Sequence, residues 1–558
     1  MNRFRCIAVV VGLGIVVGLL IAPSVLAGDA APTSAPATQP ASAPTSQPAL
    51  VITRPAAVPV VSAKRIEALV GQLGDDSADA RERAAKELEA VGLAAMGALR
   101  QAVKNDDLEI AAQAKALLRA IPKAAADGEC LLWKVQLPEG DWEMVKDELT
   151  ALVTGAQPRM RERTIADSWG IVVTKDLVIF HGGDGKIHAL SRTTALPKWE
   201  YKTDSDMRSV RPTLILRGQT LLSETRHGGS PTTRSTTRLT ALNVATGKRL
   251  WQNDDYIYYQ VSEDHLVCTD DTYEWIHCLS IKDGKVLWKR DKTEFTDLRF
   301  LTPQWLTRDL VVCIASSNEP PASCLMALDL ASGDKKWEAQ GMMDWACVVV
   351  DGRLYTLSGN TVDTMTIGTI DLATGKELSD ASIDVTSDSG GPSTAMQVTG
   401  TWLLHGGFDH IAACDLTTGK PAWIYALPKD SPTADTYRNS HWQSGSLFGA
   451  ESVRDLAVAV HDGAVLLPTG NGLLAVDLAT GKELWKYPMK NVIYYGVVAR
   501  DGVAYFMDDH RVAEGAAGLM ATCVAFWKVG RYKDDPPRYL YALDLAKAAM
   551  IGLPVEDD

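Results

Sequence analysis

The chain has 558 residues, 46% of them hydrophobic and 22% charged, with a formal net charge of −13. That is enough apolar material for a sizeable core, and the acidic balance argues against nucleic acid or an anionic lipid surface as the main partner. The charge is uneven, with residues 1–61 carrying +2 and residues 62–122 carrying −1, which leaves −14 on the rest.

Residues 1–27 place Arg3 and Arg5 ahead of an unbroken apolar run over 7–22 and end in Val25-Leu-Ala27. This is the layout of a secretory signal peptide. The alternative is an uncleaved anchor, since the run is long for a signal. Cys6 precedes the run, so no cysteine sits where a lipoprotein carries its lipid. The expected location is therefore secreted and periplasmic, with membrane contact only through that segment if it is retained. Residues 28–61 are rich in Pro, Ala, Ser and Thr and nearly uncharged, a composition that forms no core and reads as an extended linker.

Residues 62–122 change character. Ile66, Leu69, Val70 and Leu73 share a helical face, as do Ala84, Leu88 and Val91, then Met96, Leu99 and Val103, then Ala111, Ala114, Leu118 and Ile121. Asp79-x-x-Glu82 and Asp106-x-x-Glu109 have capping-box spacing, Gly92 suits a helix end, and Pro122 is expected to stop the last helix. The result is a small all-α module of four helices that looks like a HEAT-type repeat pair, either a plain structural unit or a protein-docking one.

Residues 123–558 carry seven imperfect copies of one pattern, at 187–199, 239–251, 276–288, 325–337, 367–379, 411–423 and 473–485. Each has an alternating apolar run ending in Ala-Leu-Asp or a variant, then Thr-Gly-Lys in most copies, then a run opened by tryptophan, which reads as strand, turn, strand. The tryptophans are Trp199, Trp251, Trp288, Trp337, Trp423 and Trp485, with Ser379 standing in for the fifth. The turn glycines are Gly247, Gly284, Gly333, Gly375, Gly419 and Gly481, with Ala195 replacing the first. Two further apolar runs precede most copies, so one unit is a four-stranded antiparallel sheet. A lone sheet cannot bury both faces, and the spacing suits blades of a WD40-like propeller rather than a helical solenoid. Residues 539–544 hold half a motif, and Leu131-Leu-Trp133-Lys-Val135 holds the missing half. Joining them makes an eighth blade and removes two exposed edges. The fold expected is mainly β, an eight-bladed propeller closed by an N-terminal strand and preceded by the helical module.

The Ala-x-Asp-x-x-Thr-Gly-x-x-x-Trp repeat resembles the quinoprotein-type (PQQ-like) propeller family over roughly residues 130–550. That family includes quinone-dependent dehydrogenases and the non-enzymatic propeller scaffold of the outer-membrane barrel assembly machinery. Relatives of the first kind imply PQQ with calcium, adjacent cysteines in a vicinal disulfide, and acidic and amide residues around the ion. No two cysteines are adjacent here, there is no Cys-x-x-Cys-His, and no metal-ligand spacing is present. The sequence thus points to a non-enzymatic interaction scaffold without cofactor or catalytic residues, with envelope proteins or peptides as partners. The alternative is a PQQ-dependent dehydrogenase with a divergent site.

Strand order assigns each connection a face. Segments 136–168, 226–238, 428–452 and 508–538 fall together on one rim, opposite the Thr-Gly-Lys turns, and rims are where propellers meet partners. Trp142, Arg226, Tyr437, Arg438, His441, Trp442, His510, Arg511 and Trp527 supply aromatic surface and hydrogen-bonding groups there. The motif tryptophans, Trp133 included, are expected to pack between blades. His181-Gly-Gly-Asp184 and His405-Gly-Gly-Phe-Asp409 read as tight turns rather than a metal or catalytic pair. Cys268 with Cys278, and Cys313 with Cys324, flank hairpins and are candidates for disulfides in an oxidising compartment, the alternative being buried free thiols.

Overall fold

The alternating runs form eight antiparallel sheets, seven of four strands and one of five, and each four-stranded sheet takes its strands in chain order. The computed structural model describes residues 50–552 apart from 55–60, 127, 138–170, 183, 204–212, 228–235, 255, 271, 296–297, 318–322, 341–345, 351, 359–363, 385–394, 407–409, 419, 428–457, 470–471, 490–491 and 510–538. The expected signal peptide and most of the linker therefore lie outside the described residues. Blades 1 to 7 run over residues 172–202, 213–253, 256–291, 298–340, 346–384, 395–426 and 459–488. Blade 8 takes Val492–Arg500, Val503–Asp509 and Tyr539–Asp544 from the C-terminal part and Leu131–Gln136 from the N-terminal side, with Trp133 opposite Ala542 and Lys134 opposite Tyr541.

The linker is not wholly a spacer. Ile52–Thr53 forms a fifth strand on the outer edge of blade 8, Ile52 pairing with Val135 and Thr53 with Lys134. Alternation explains it: Leu50 and Ile52 pack against the core between blades 8 and 1, while Val51 between them is 56% exposed.

One contact rule joins neighbouring blades. Six of the seven motif tryptophans donate the indole N–H to a backbone carbonyl of the next blade, beside that blade's third-to-fourth turn. Trp133 reaches Arg192 O at 2.9 Å, Trp199 Val244 O at 3.0 Å, Trp251 Ile281 O at 2.7 Å, Trp288 Leu330 O at 2.7 Å, Trp337 Leu372 O at 2.8 Å and Trp423 Leu478 O at 2.8 Å. The ring also lies against the turn glycine. Gly247 sits at φ +68, and a Cβ there would come within 2.5 Å of Trp199 Cε3, so conformation and space both demand glycine. Gly284, Gly333, Gly375 and Gly481 repeat the arrangement, and Gly419 lies outside the described residues. Ala195 holds the same left-handed conformation at φ 54 and is fully buried in the core containing Trp133. Gly247→Ala is therefore expected to lower stability by about 2 kcal/mol or more in urea titrations. Ala195→Gly should change it by less than about 1 kcal/mol, because relief of the left-handed strain offsets the lost methyl.

Two seams depart from the rule. Ser379 occupies the tryptophan's register position, opposite Thr369 as Trp423 is opposite Ala413. Blade 8 has no turn glycine to receive Trp485, because Asp544 leads directly into a helix, Leu545–Gly552, with Lys547 N–H donating to Asp544 Oδ1 at 3.1 Å. Trp485 instead packs against one continuous core that holds this helix, the blade 7–8 seam and the helical module.

That module comprises α1 (Ala63–Gln72), α2 (Ala78–Val91), α3 (Met96–Ala102) and α4 (Leu108–Ala126), and Leu545–Gly552 is α5. Its ends differ from the expected ones in three places. Ser77 rather than Asp79 takes the N-cap position of α2. At α4 it is Asp107 that accepts from Glu109 N–H and Ile110 N–H, at 2.9 and 3.4 Å. Pro122 lies inside α4 instead of ending it. A proline removes one helical bond, and here the buried Ile121 and Ala125 on either side hold the extra turn in the shared core. Gly92 does end α2, at φ 66, and a Cβ there would run into the Glu129 carboxyl group, which accepts from Leu93 N–H at 3.0 Å. Among the described residues no helix is long and apolar enough to cross a membrane.

The disulfide expectation is corrected. Cys268 faces His277 across its hairpin and Cys278 faces Val267, so the two thiols point to opposite faces and into different cores. Cys313 pairs with Met326 and Cys324 with Ala315, which puts both on one face but two positions apart along the strands. A disulfide needs a closer approach than that diagonal provides. All four are buried free thiols, as are Cys130 and Cys414. Burial pushes the Cys278 thiol up to about 12 and that of Cys324, helped by Glu338, to about 11. These four cysteines should alkylate in denaturant without prior reduction and resist alkylation in the native protein, as read by peptide mass mapping.

Candidate partner-binding rim

In every blade the second-to-third and fourth-to-first connections leave from the same side of the ring, a consequence of antiparallel order. The strand ends joined by residues 138–170, 228–235, 428–457 and 510–538 therefore share one face. Trp142, Tyr437, Arg438, His441, Trp442, His510, Arg511 and Trp527 lie outside the described residues. Arg226, expected at the start of a loop, has its backbone in the strand Thr220–His227, opposite Thr237.

The described part of this rim is strongly polar. In blade 1, Gly182 N–H donates to Lys186 O at 2.8 Å and Gly185 N–H to Gly182 O at 3.3 Å, with Gly185 at φ 73, so the two strands meet in a tight turn. Asp184 accepts from Lys186 N–H at 3.2 Å and lies 3.0 Å from His188 Nε2. Burial would raise the Asp184 carboxyl, but the bond and charge of His188 together with Lys186 outweigh it, and the net direction is down. The His188 ring stacks on Phe180 at 5.4 Å, and Lys186 Nζ bonds Glu200 at 2.7 Å. In blade 2, Arg238 grips Asp254 with two bonds of 2.5 and 2.6 Å, the fork geometry that fixes a guanidinium rigidly. Glu224 of the same blade accepts from the Tyr259 hydroxyl of blade 3 at 3.0 Å, tying the two blades together at this side. Lys289 stands 3.7 Å from the centre of the Trp275 ring.

These pairs were not singled out from the sequence. Arg238 and Asp254 are sixteen positions apart in the chain, and only strand pairing brings them together. The His-Gly-Gly-Asp motif was the one legible signal, and its Asp184–His188 pair forms across the turn.

Buried histidines with a ring nitrogen lacking a hydrogen-bond partner among the described residues include His181 at Nε2, His405 at Nδ1 and His277 at both ring nitrogens. Burial pushes His181 down to about 4, and it pushes His405, together with the nearby His410, down to about 3. His405 and His410 meet edge to face with ring centres 6.0 Å apart.

The described residues show no calcium site and no vicinal cysteine pair of the kind a quinone with calcium would imply. Among them no group of three or more His, Cys, Asp or Glu side chains is arranged to hold a metal ion. Cys130, Cys268, Cys278, Cys313, Cys324 and Cys414 are free, and none has a cysteine next to it in the chain, so they form no vicinal pair.

A family model described as outer membrane protein assembly factor BamB matches residues 124–354 and 363–490. No curated protein matches the chain. Solved structures with a similar fold include the computationally designed Ika8 protein, at 15% identity and TM-score 0.42, covering 62% of this chain and 94% of that one. BamB from Moraxella catarrhalis matches at 13% identity and TM-score 0.40, covering 67% and 96%. The quinohemoprotein alcohol dehydrogenase ADHIIG from Pseudomonas putida HK5 matches at 12% and 0.41, covering 68% and 75%.

Proposed function

Because the chain belongs to the family described as outer membrane protein assembly factor BamB, we propose that it is a non-enzymatic protein-interaction scaffold of the cell envelope, secreted to the periplasm and binding envelope proteins or peptides through its loop-bearing rim. The observation that carries the reading is that family match, which spans all the blades with a complete motif. Supporting it, four long connections leave the ring on one side, where the described strand ends carry paired charges and aromatic rings. Loops on a rigid sheet scaffold can vary without cost to the core, which is why such a rim suits recognition. On this reading Trp142, Arg226, Tyr437, Arg438, His441, Trp442, His510, Arg511 and Trp527 form the contact surface.

The test is affinity capture from envelope extracts with the full chain and with a variant in which residues 428–452 are replaced by a short Gly/Ser linker. Loss of specific partners is expected, and an unchanged partner set would reject the rim assignment. Adding PQQ with calcium and following dye reduction with alcohols and sugars tests the enzymatic alternative, and clear turnover would replace the scaffold reading.

A further inference from the structure

A propeller blade ends at its outermost strand, whose free edge presents unpaired backbone groups. In blade 8 that edge is taken by a short piece of the chain's own linker. Gln136 N–H donates to Val51 O at 3.0 Å, and Ile52 and Thr53 pair with Val135 and Lys134. Side chains add a pattern to the backbone pairing. Leu50 and Ile52 point into the seam where blade 8 meets blade 1, against the core that holds Trp133 and Val135. Val51 and Thr53 face outward, and the Arg54 guanidinium donates to Thr194 O of blade 1. The segment thus bridges both blades of the seam that closes the ring.

We propose that the outer edge of blade 8, with the adjoining seam to blade 1, is a strand-accepting site for an extended partner segment of the pattern apolar-x-apolar-x-basic, covered in the resting chain by its own residues 50–54. The site reads backbone through strand addition and reads sequence through the two inward apolar positions and the basic residue. Three features make the cover displaceable. It is a strand of two residues, its outward side is exposed, and it belongs to a stretch whose Pro- and Ala-rich composition builds no core of its own. An intramolecular cover also sets a threshold, because a competing segment must outmatch a tethered one. This surface is the circumference of the ring, not the loop-bearing rim, so the proposal stands or falls independently of that assignment.

The probe is a fluorescein-labelled peptide with the sequence of residues 49–56, titrated into the full chain and into a full-chain variant carrying Leu50→Ser, Ile52→Ser and Arg54→Ser, followed by anisotropy. The variant should bind the peptide at least about 10-fold more tightly than the unaltered chain does, equivalent to about 1.4 kcal/mol. A peptide with serine at the Leu50 and Ile52 positions should not bind. Equal binding by both chains, or equal binding of both peptides, overturns the proposal. Should the variant fail to fold, amide exchange on the unaltered chain decides. Protection at Gln136 that is lost at least 100-fold faster than protection at Leu540 marks a cover that opens locally, whereas loss of both together only on global unfolding rules it out. Concentration-dependent dimerisation of the unaltered chain that Ile52→Ser abolishes would assign the edge to a second copy and overturn the assignment to a foreign segment.

Discussion

Replacing Trp133 with alanine is expected to destabilise the protein by about 4 kcal/mol, the largest effect of any single blade tryptophan. Its side chain is fully buried and heads the set of largest buried side chains. It donates to Arg192 O at 2.9 Å and packs 6.0 Å from the Tyr505 ring in the core joining blades 8 and 1. The other motif tryptophans bridge blades that are also consecutive in the chain, so losing one leaves the neighbours tethered. Trp133 joins blade 1 to the C-terminal strands of blade 8, which come from opposite ends of the propeller sequence, within a core that Leu50 and Ile52 also line, and the polar links at that seam lie at its edge. They include the pair Arg192–Asp501 at 2.5 Å, whose carboxylate is largely exposed, and the bond from Arg500 to Val173 O at 2.9 Å. An exposed pair of this kind contributes at most about 1 kcal/mol. Urea titration of Trp133→Ala beside Trp337→Ala checks the claim. A loss below about 1 kcal/mol for Trp133, or a larger loss for Trp337, would mean that the closing strand does not govern the ring.

The second large effect is a loss of stability in mild acid. His181 and His405 are held neutral by burial, with folded values of about 4 and about 3 against an ordinary value of 6.5. A histidine whose value is depressed on folding contributes stability that is complete above the unfolded value and is lost as pH falls below it. The loss continues until the folded value is reached. Each such group costs about 1.4 kcal/mol per pH unit in that window. Between pH 6.5 and 5 the two together should remove about 3 kcal/mol. The turn carboxylates act in a different window. Thr374 lowers Asp371 and Thr480 lowers Asp477 through side-chain and backbone bonds, so their contribution is complete above the ordinary carboxylate value of 3.8 and fades only as pH falls below it. Thermal denaturation across pH 7.5 to 4.5 should therefore show a falling Tm from about pH 6.5, and His405→Leu should make the fall shallower without abolishing it, because His181 and His277 are also lowered by burial. A flat profile down to pH 5 would mean that both rings accept protons within the fold.

Much of the ring was legible in the chain because the repeat encodes a contact between neighbours. The tryptophan and the Thr-Gly turn recur together because one packs on the other, and that requirement repeats at every regular seam. Even the exceptions were visible, Ala195 in place of a glycine and Ser379 in place of a tryptophan. The pairing of residues near 133 with those near 541 followed from two half-motifs that complete each other.

Other features needed coordinates. Whether Cys268 and Cys278 face each other depends on a register shift of one residue, which spacing does not specify and which turns each thiol to the opposite face. The helix through Pro122 persists because a shared core with α5 and blades 7 and 8 outweighs a local helix-breaking signal. The end of the linker becomes a strand because an open edge was waiting for it. Local chemistry and periodicity, which act over a few residues, were enough to determine the blade, its turns and the number of blades. Register, the merging of the helical module with the ring and the covering of the last edge were decided by contacts between segments hundreds of residues apart, such as Arg100 with Met550 O at 2.8 Å, because those energies exist only once the ring has closed.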